Sequence, residues 1–288
     1  MNTSIIGCGN MSSALNIGII GCGNMAAAII KGIFSIPEFK NFNYFIYDID
    51  EKKTASISAE YNDFSITVCK DEINAAKNSD YLLLAVKPQN FIELLSKIKP
   101  IITSEKILIS IAAGITIQKI TDSICGCNSE KQIKIARIMP NTPALIQKGM
   151  SGIAFNSFIN EAEKNFVIKI FSSLGKIIVV EENKINSITA VSGSGPAYVF
   201  YFAECFLEAA RNLGFSMDDA ELLVFQTIKG SVDLMLESAD TPAELRKKVT
   251  SPGGTTEAAI NNFIKNNFKS IIIESADSAR KRADELGK

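Results

Sequence analysis

The chain has 288 residues, 30 Lys and Arg against 31 Asp and Glu, and 47% hydrophobic residues. That length gives room for two domains and an ordinary core, and the near-zero net charge offers no electrostatic footprint for nucleic acid or another polyanion. Histidine is absent, which excludes Ser-His-Asp hydrolysis, HExxH metal sites and a histidine general base. Cys8, Cys22, Cys69, Cys125, Cys127 and Cys205 form no CxxC pair, so reduced thiols in a cytoplasmic protein are expected, and no metal site.

The first thirty residues are uncharged, but they have no basic n-region, and Gly, Asn and Ser interrupt every apolar run. Neither a signal peptide nor a membrane span is expected. Residues 5–11, IIGCGNM, repeat residues 19–25 letter for letter. The copies lie too close together for the helix and return strand of a βαβ unit, so both cannot serve one dinucleotide fold. The second copy has an apolar strand before it and a helical AAAIIKGIF after it, whereas the first runs at once into Ser12 and Ser13. Residues 1–14 are therefore read as a duplicated, disordered leader, dispensable for activity.

In the second copy, Gly21, Gly23 and Ala26 form a GxGxxA turn between a strand and a helix opening at Asn24. Glycine is needed first for the tight turn and second for backbone approach to a pyrophosphate, which then sits on the helix N-terminus. NYFIYDID makes a second strand ending at Asp48, about twenty residues after the turn, where an acid bonds the adenosine ribose. Asp48 by itself favours NADH, Lys52 and Lys53 leave room for a ribose phosphate, and the plain alternative is a cap for the next helix.

FSITVC is a third strand and DYLLLAVKPQ a fourth, apolar throughout as a doubly buried strand should be. At its end Ala85, Val86, Lys87 and Pro88 leave the sheet, where they either line the cofactor cleft or form an ordinary βα loop. KILISIAAG is a fifth strand running into Ala112, Ala113 and Gly114, small enough for a nicotinamide ribose to come close. KIARIMPNTP is a sixth, with Asn141 and Thr142 on the ligand side. SGIAF and GKIIVV flank a helix over 160–173 and complete about eight strands, and the first domain is expected to end near Val180.

From Glu181 onward long helical patterns replace the alternation. VSGSGPAYVFYFAECFLEAARNLG reads as one helix loosened at Ser192 to Pro196 for close packing, because no strand precedes it to make a phosphate loop. Further helices are read in MDDAELLVFQTIKGSVDLML, TPAELRKKV, TTEAAINNFI and from Phe268 to Leu286. So apolar a helical domain is expected to bury a face against another subunit. VTSPGGTT, residues 249–256, bends the backbone before a helix and surrounds open amides with Thr250, Ser251, Thr255 and Thr256. It reads either as a site for a small carboxylate or as a helix cap.

Taken in order, GIIGCGNM, AVKPQ, SIAAG, RIMPNTPA, VSGSGPAY and LRKKVTSPGGTT resemble the pyrroline-5-carboxylate reductase family over about residues 15–287. The resemblance implies an α/β Rossmann-type, mostly parallel sheet domain over 15–180. It implies an all-α substrate-binding and dimerisation domain of the 6-phosphogluconate dehydrogenase type over 181–288. The reaction implied is reduction of 1-pyrroline-5-carboxylate to L-proline with NADPH or NADH, in a homo-oligomer built as a dimer or a pentamer of dimers. By position, Ile20, Gly21, Cys22, Gly23, Asn24 and Met25 would hold the cofactor together with Asp48, Ala85 to Pro88 and Ala112 to Gly114. Glu182, Val249, Ser251, Gly254, Thr255 and Thr256 would hold the substrate, with Thr256 against the imine nitrogen as the catalytic contact. Lys248, where some relatives have Asn, and Asp48, where NADPH-preferring members have Ser or Arg, depart from the pattern. A β-hydroxyacid dehydrogenase would want a lysine in VSGSGPAYVF, which has none; a related imine reductase and a non-catalytic dinucleotide-binding scaffold are the other rivals.

Overall fold

The computed structural model describes residues 15–126 and 131–287. The expected leader lies outside the described residues. By compactness the chain forms two units, the first running to Gly193 and also taking in the chain from Arg280 on, the second spanning Ser194–Ala279. The change of character read at Glu181 thus falls earlier in sequence than the change in packing, because Glu182 is bonded into the first unit.

The first unit is an eight-stranded sheet in the order β3-β2-β1-β4-β5-β6-β7-β8. Its strands are β1 Asn16–Ile20, β2 Asn43–Tyr47, β3 Ser65–Val68, β4 Tyr81–Leu84, β5 Ile107–Ser110, β6 Lys134–Met139, β7 Gly149–Phe155 and β8 Gly175–Val179. Neighbours pair in parallel except β6 and β7, which are antiparallel. The linking helices are α1 Asn24–Phe34, α2 Glu51–Glu60, α3 Glu72–Lys77, α4 Pro88–Ile98, α5 Ile117–Cys125, α6 Glu161–Ser172 and the short α7 Ile185–Ile188. Alternate strand residues feed two apolar layers. Ile17, Ile19, Leu83, Ile107 and Ile109 pack with Ile29 and Phe171 on one face. Ile20, Leu82, Leu84, Leu108 and Ile135 pack with Phe91, Leu95 and Ile120 on the other. Because β1 and β4 are neighbours whose crossovers leave toward opposite edges, their carboxyl ends form the switch point at which open α/β sheets bind ligands.

The second unit holds α8 Gly195–Asn212, α9 Met217–Glu237, α10 Pro242–Lys248, α11 Thr255–Lys265 and the start of α12 Phe268–Leu286. The single helix read across Ser192 to Pro196 is broken. Thr189–Gly193 is a π-helical turn, and α8 begins afresh at Gly195 with Pro196 in its first turn, where the missing N–H costs nothing. The buried apolar cluster of this unit is Ala210, Ala220 and Val224. Phe200, Tyr201, Leu222, Leu236 and Ile264 are all more than 60% exposed. A face this apolar is uncommon on a monomer and marks an association surface. No helix among the described residues is long and apolar enough to cross a membrane.

Ile29 is fully buried between α1 and the sheet. Ile29→Ala is expected to lower unfolding free energy by about 3 kcal/mol, read as a shift of the urea midpoint at unchanged slope.

Candidate active site

At the end of β1 the Gly21 N–H donates to the Tyr47 carbonyl at 2.8 Å, and the Ala85 N–H donates to the Ile20 carbonyl at 2.8 Å. Gly21 has φ +92°, and a Cβ there would lie 2.7 Å from the Ala85 carbonyl oxygen, which is backbone and cannot yield. Around Gly23 the opposite holds, since a Cβ there would meet nothing within 4 Å. Gly23 caps α1 with no side-chain bond, and the first turn of α1 carries no acid. Its amide donors therefore face open space at the positive helix end, as a pyrophosphate requires. Asn24 is exposed at the first position of that helix and Met25 is half-buried behind it.

Asp48 follows β2 and does something neither sequence reading specified. The cap of α2 is Asp50, which accepts from the Lys52 N–H. Asp48 Oδ2 accepts from the Cys22 N–H at 2.7 Å and Oδ1 from the Asp50 N–H at 2.8 Å, so the carboxylate buttons β2 to the glycine turn. Lys53 Nζ lies 3.4 Å from Asp48 and 4.0 Å from Asp50. Burial opposes the Asp48 charge, but the Cys22 and Asp50 N–H groups and the Lys53 ammonium outweigh it and hold the carboxyl below its ordinary value. The Cys22 thiol is buried and is pushed up to about 12, by burial first and then by Asp48, against a smaller lowering by Lys53. It is an inert space-filler rather than a nucleophile.

A cleft of about 520 Å³ opens beside the turn. Of the residues read from sequence, Ile20, Gly21, Gly23, Asp48, Ala85, Val86 and Lys87 line it. Lys87 caps α4 and Pro88 is its first residue, so the proline starts a helix as well as ending a strand. Sequence reading missed Tyr47, Ile49, Glu72, Asn90, Leu94 and Lys97, which also line the cleft. Ile49 is 84% exposed, an apolar side chain held out beside an acid. That placement is the one signal the sequence offered. Lys97 bridges Glu72 at 2.9 Å and closes the far wall.

Ala112 and Gly114 are buried after β5 and Ala113 is half-buried. Asn141, read as facing a ligand, instead knits backbone together. Its Nδ2 donates to the Ser192 carbonyl at 3.1 Å and its Oδ1 accepts from the Met150 N–H at 2.8 Å, while Thr142 opens a 3-10 turn. Glu182 Oε1 accepts from the Ile117 N–H at 2.6 Å and from Arg137 Nη1 at 3.1 Å. Burial pushes the Arg137 guanidinium down from its ordinary value, and Glu182 opposes that.

In the second unit, residues 249–256 join α10 to α11. Val249 caps α10 and is largely exposed. Thr250 Oγ1 donates to the Arg246 carbonyl, so this hydroxyl finishes a helix. The Gly254 N–H donates to the Ser251 carbonyl at 3.0 Å, and a Cβ on Gly254 would lie 2.6 Å from Ser251 Oγ. Gly254 caps α11 without a side chain, which leaves the first-turn amides of Thr255 and Thr256 facing outward. One further participant is Glu257, whose carboxylate folds back onto the Gly253 N–H at 2.8 Å. Lys248 pairs with Asp240.

The pyrroline-5-carboxylate reductase dimerisation family matches residues 182–286, and the family of coenzyme F420-dependent NADP oxidoreductases matches 16–114. Over 98% of this chain and 97% of the other, the sequence is 32% identical to the pyrroline-5-carboxylate reductase of Escherichia coli K12. The chain belongs to the pyrroline-5-carboxylate reductase family. Among solved family structures, that of Plasmodium falciparum with NADP bound superposes with a TM-score of 0.82 at 32% identity, covering 95% of this chain and 98% of that one. That of Coxiella burnetii gives 0.82 at 35% identity over 96% and 100%. Prephenate dehydrogenase of A. aeolicus, at 11% identity and a TM-score of 0.52, shares the fold alone.

Since the folded-state value of Asp48 lies below its unfolded one, the buttoning is complete above the ordinary aspartate range and is lost as pH falls through the folded value. The melting temperature of wild type should exceed that of Asp48→Asn near neutral pH, and the gap should close below about pH 4. Melting curves of both proteins across that range check it.

Proposed function

We propose that this chain reduces 1-pyrroline-5-carboxylate to L-proline with NADH or NADPH, the last step of proline biosynthesis. One pairing carries the reading. A family member has an acid-free helix end with no side-chain cap beside a cleft of about 520 Å³, and a second helix end without a side-chain cap, at α11, of the kind that suits a small carboxylate. The α1 amides would hold the cofactor's pyrophosphate and Asp48 its adenosine ribose, with Ile49 and Leu94 available to the base and Ala112 to Gly114 to the nicotinamide. Bound NAD(P)H supplies a hydride for the imine carbon.

The substrate carboxylate is held by the Thr255 and Thr256 amides, with Ser251, Gly254 and Val249 shaping the loop. Thr256 Oγ1 hydrogen-bonds the ring nitrogen, and the proton that balances the hydride reaches that nitrogen from water through this hydroxyl. A threonine hydroxyl is a poor acid, so the acceleration comes mainly from positioning. The exposed apolar face of the second unit supports self-association, as a dimer or as a pentamer of dimers. Free thiols at Cys22, Cys69, Cys125 and Cys205 suit a reducing cytoplasm.

Oxidation of NAD(P)H should depend on added pyrroline-5-carboxylate and yield proline, and Thr256→Ala should lower turnover about ten- to a thousandfold. An unchanged rate in that variant removes Thr256 from the mechanism, and wild type that binds cofactor without turnover makes the chain a scaffold. For the cofactor, Lys53 is already engaged by Asp48 and Asp50, so it is not free to pair with a ribose phosphate and NADH should have the lower KM. Asp48→Ser should move the NADH to NADPH ratio of kcat/KM toward NADPH by about tenfold or more, and a ratio that stays put would leave Asp48 only its turn-fastening role.

A further inference from the structure

Arg137 is the one charged side chain buried in the sheet among the described residues, 3% exposed on β6, and its Nε has no hydrogen-bond partner there. Its two other nitrogens are both engaged. Nη1 donates to Glu182 at 3.1 Å and Nη2 to Asn186 Oδ1 at 2.9 Å. The Asn186 amide passes the connection on, because its Nδ2 donates to Asp284 Oδ1 at 2.8 Å. Only one orientation of that amide satisfies an arginine on one side and a carboxylate on the other. Arg280 Nη1 holds the second oxygen of Asp284 at 2.8 Å.

Both ends of this chain of bonds reach the same loop. Glu182 accepts the N–H of Ile117, the first residue of α5, a donor that no intrahelical acceptor can take. At the other end, Asp284 is followed by Leu286, which packs so closely on Gly114 that a Cβ there would lie 2.8 Å from Leu286 Cβ. Gly114 itself has φ +77°. The segment between β5 and α5 is thus gripped at Ile117 by a carboxylate and at Gly114 by the end of the last helix, and Arg137 with Asn186 joins the two grips.

We propose that these groups form one clamp on residues 112–117, in which Arg137, Glu182, Asn186 and Asp284 are positioning residues for the nicotinamide end of the cofactor. This rests on the reading above that the loop borders the nicotinamide. It gives Glu182 a different task from the substrate contact that the family resemblance implies, and it gives the last residues of the chain a part in the dinucleotide-binding unit.

The test uses the full chain with Asn186→Ala, Asp284→Ala and Glu182→Gln. In the cofactor-free proteins, amide hydrogen exchange over 112–117 should quicken about tenfold or more in the two alanine variants. Calorimetric affinity for NADH should fall about tenfold, while affinity for ADP-ribose, which lacks the nicotinamide, stays within about twofold. For Glu182→Gln the same loop should loosen, and kcat should fall about ten- to a hundredfold with a smaller change in KM for pyrroline-5-carboxylate. Unchanged exchange in both alanine variants, or equal weakening for NADH and ADP-ribose, overturns the clamp. So does a Glu182→Gln variant in which only the KM for pyrroline-5-carboxylate rises. If wild type binds cofactor but does not reduce pyrroline-5-carboxylate, the proposed reaction fails while the exchange data still judge the clamp.

Discussion

At residue 21 a glycine backbone meets the carbonyl of Ala85 with no space for a single added carbon. The rest of the first unit depends on that approach. It brings the ends of β1 and β4 together at the switch point, and it lets the chain turn sharply enough for α1 to begin with its amides facing the cleft. The turn is held from three sides, by the Tyr47 carbonyl, by the Ala85 N–H on Ile20 and by the Asp48 carboxylate on Cys22. A turn held in this way is already in place before any ligand arrives, and ordering it on binding would cost backbone entropy for each residue fixed.

Two helix ends suited to anions differ in what competes for their amides. The first turn of α1 has neither a side-chain cap nor an acid, so nothing competes with a pyrophosphate. The first turn of α11 carries Glu257, which takes the Gly253 N–H for itself and leaves the next amides to a guest. The Glu257 carboxylate also sets a negative charge beside the remaining α11 amides, which the first turn of α1 lacks.

The second unit has only a small core of its own. Three small side chains make up its buried cluster, while aromatic and aliphatic residues of α8 and α9 lie exposed. Burying them in an assembly at about 25 cal/mol per Å² would stabilise this unit. The family match for this region begins at 182, whereas compactness changes at Ser194, because the first twelve or so of those residues are drawn onto the sheet by Arg137.

The sequence by itself determined the eight strands, the helices after β1 and β2 and before β8, and the glycine turn, because those depend on local periodicity and on glycine where no other residue fits. Ile17 to Ile20 read as an apolar strand, Tyr81 to Leu84 as a strand buried on both faces, and VTSPGGTT as a bent backbone before a helix, either a carboxylate site or a cap. Tertiary structure alone decided the rest. Asp48 could be read as an acid at the end of the second strand, some twenty residues after the turn, but that its oxygens bond the Cys22 and Asp50 amides depends on how β2 lies beside β1. Asn141 looked free to meet a ligand until the π-helical turn at 189–193 came to lie against it. Glu182, Asn186 and Asp284 are hydrophilic residues with no motif around them, and only the fold brings them to one buried arginine. Sequence patterns record the contacts that a residue makes along its own strand or helix; a bond between residues 182 and 117 exists only once the sheet between them has formed.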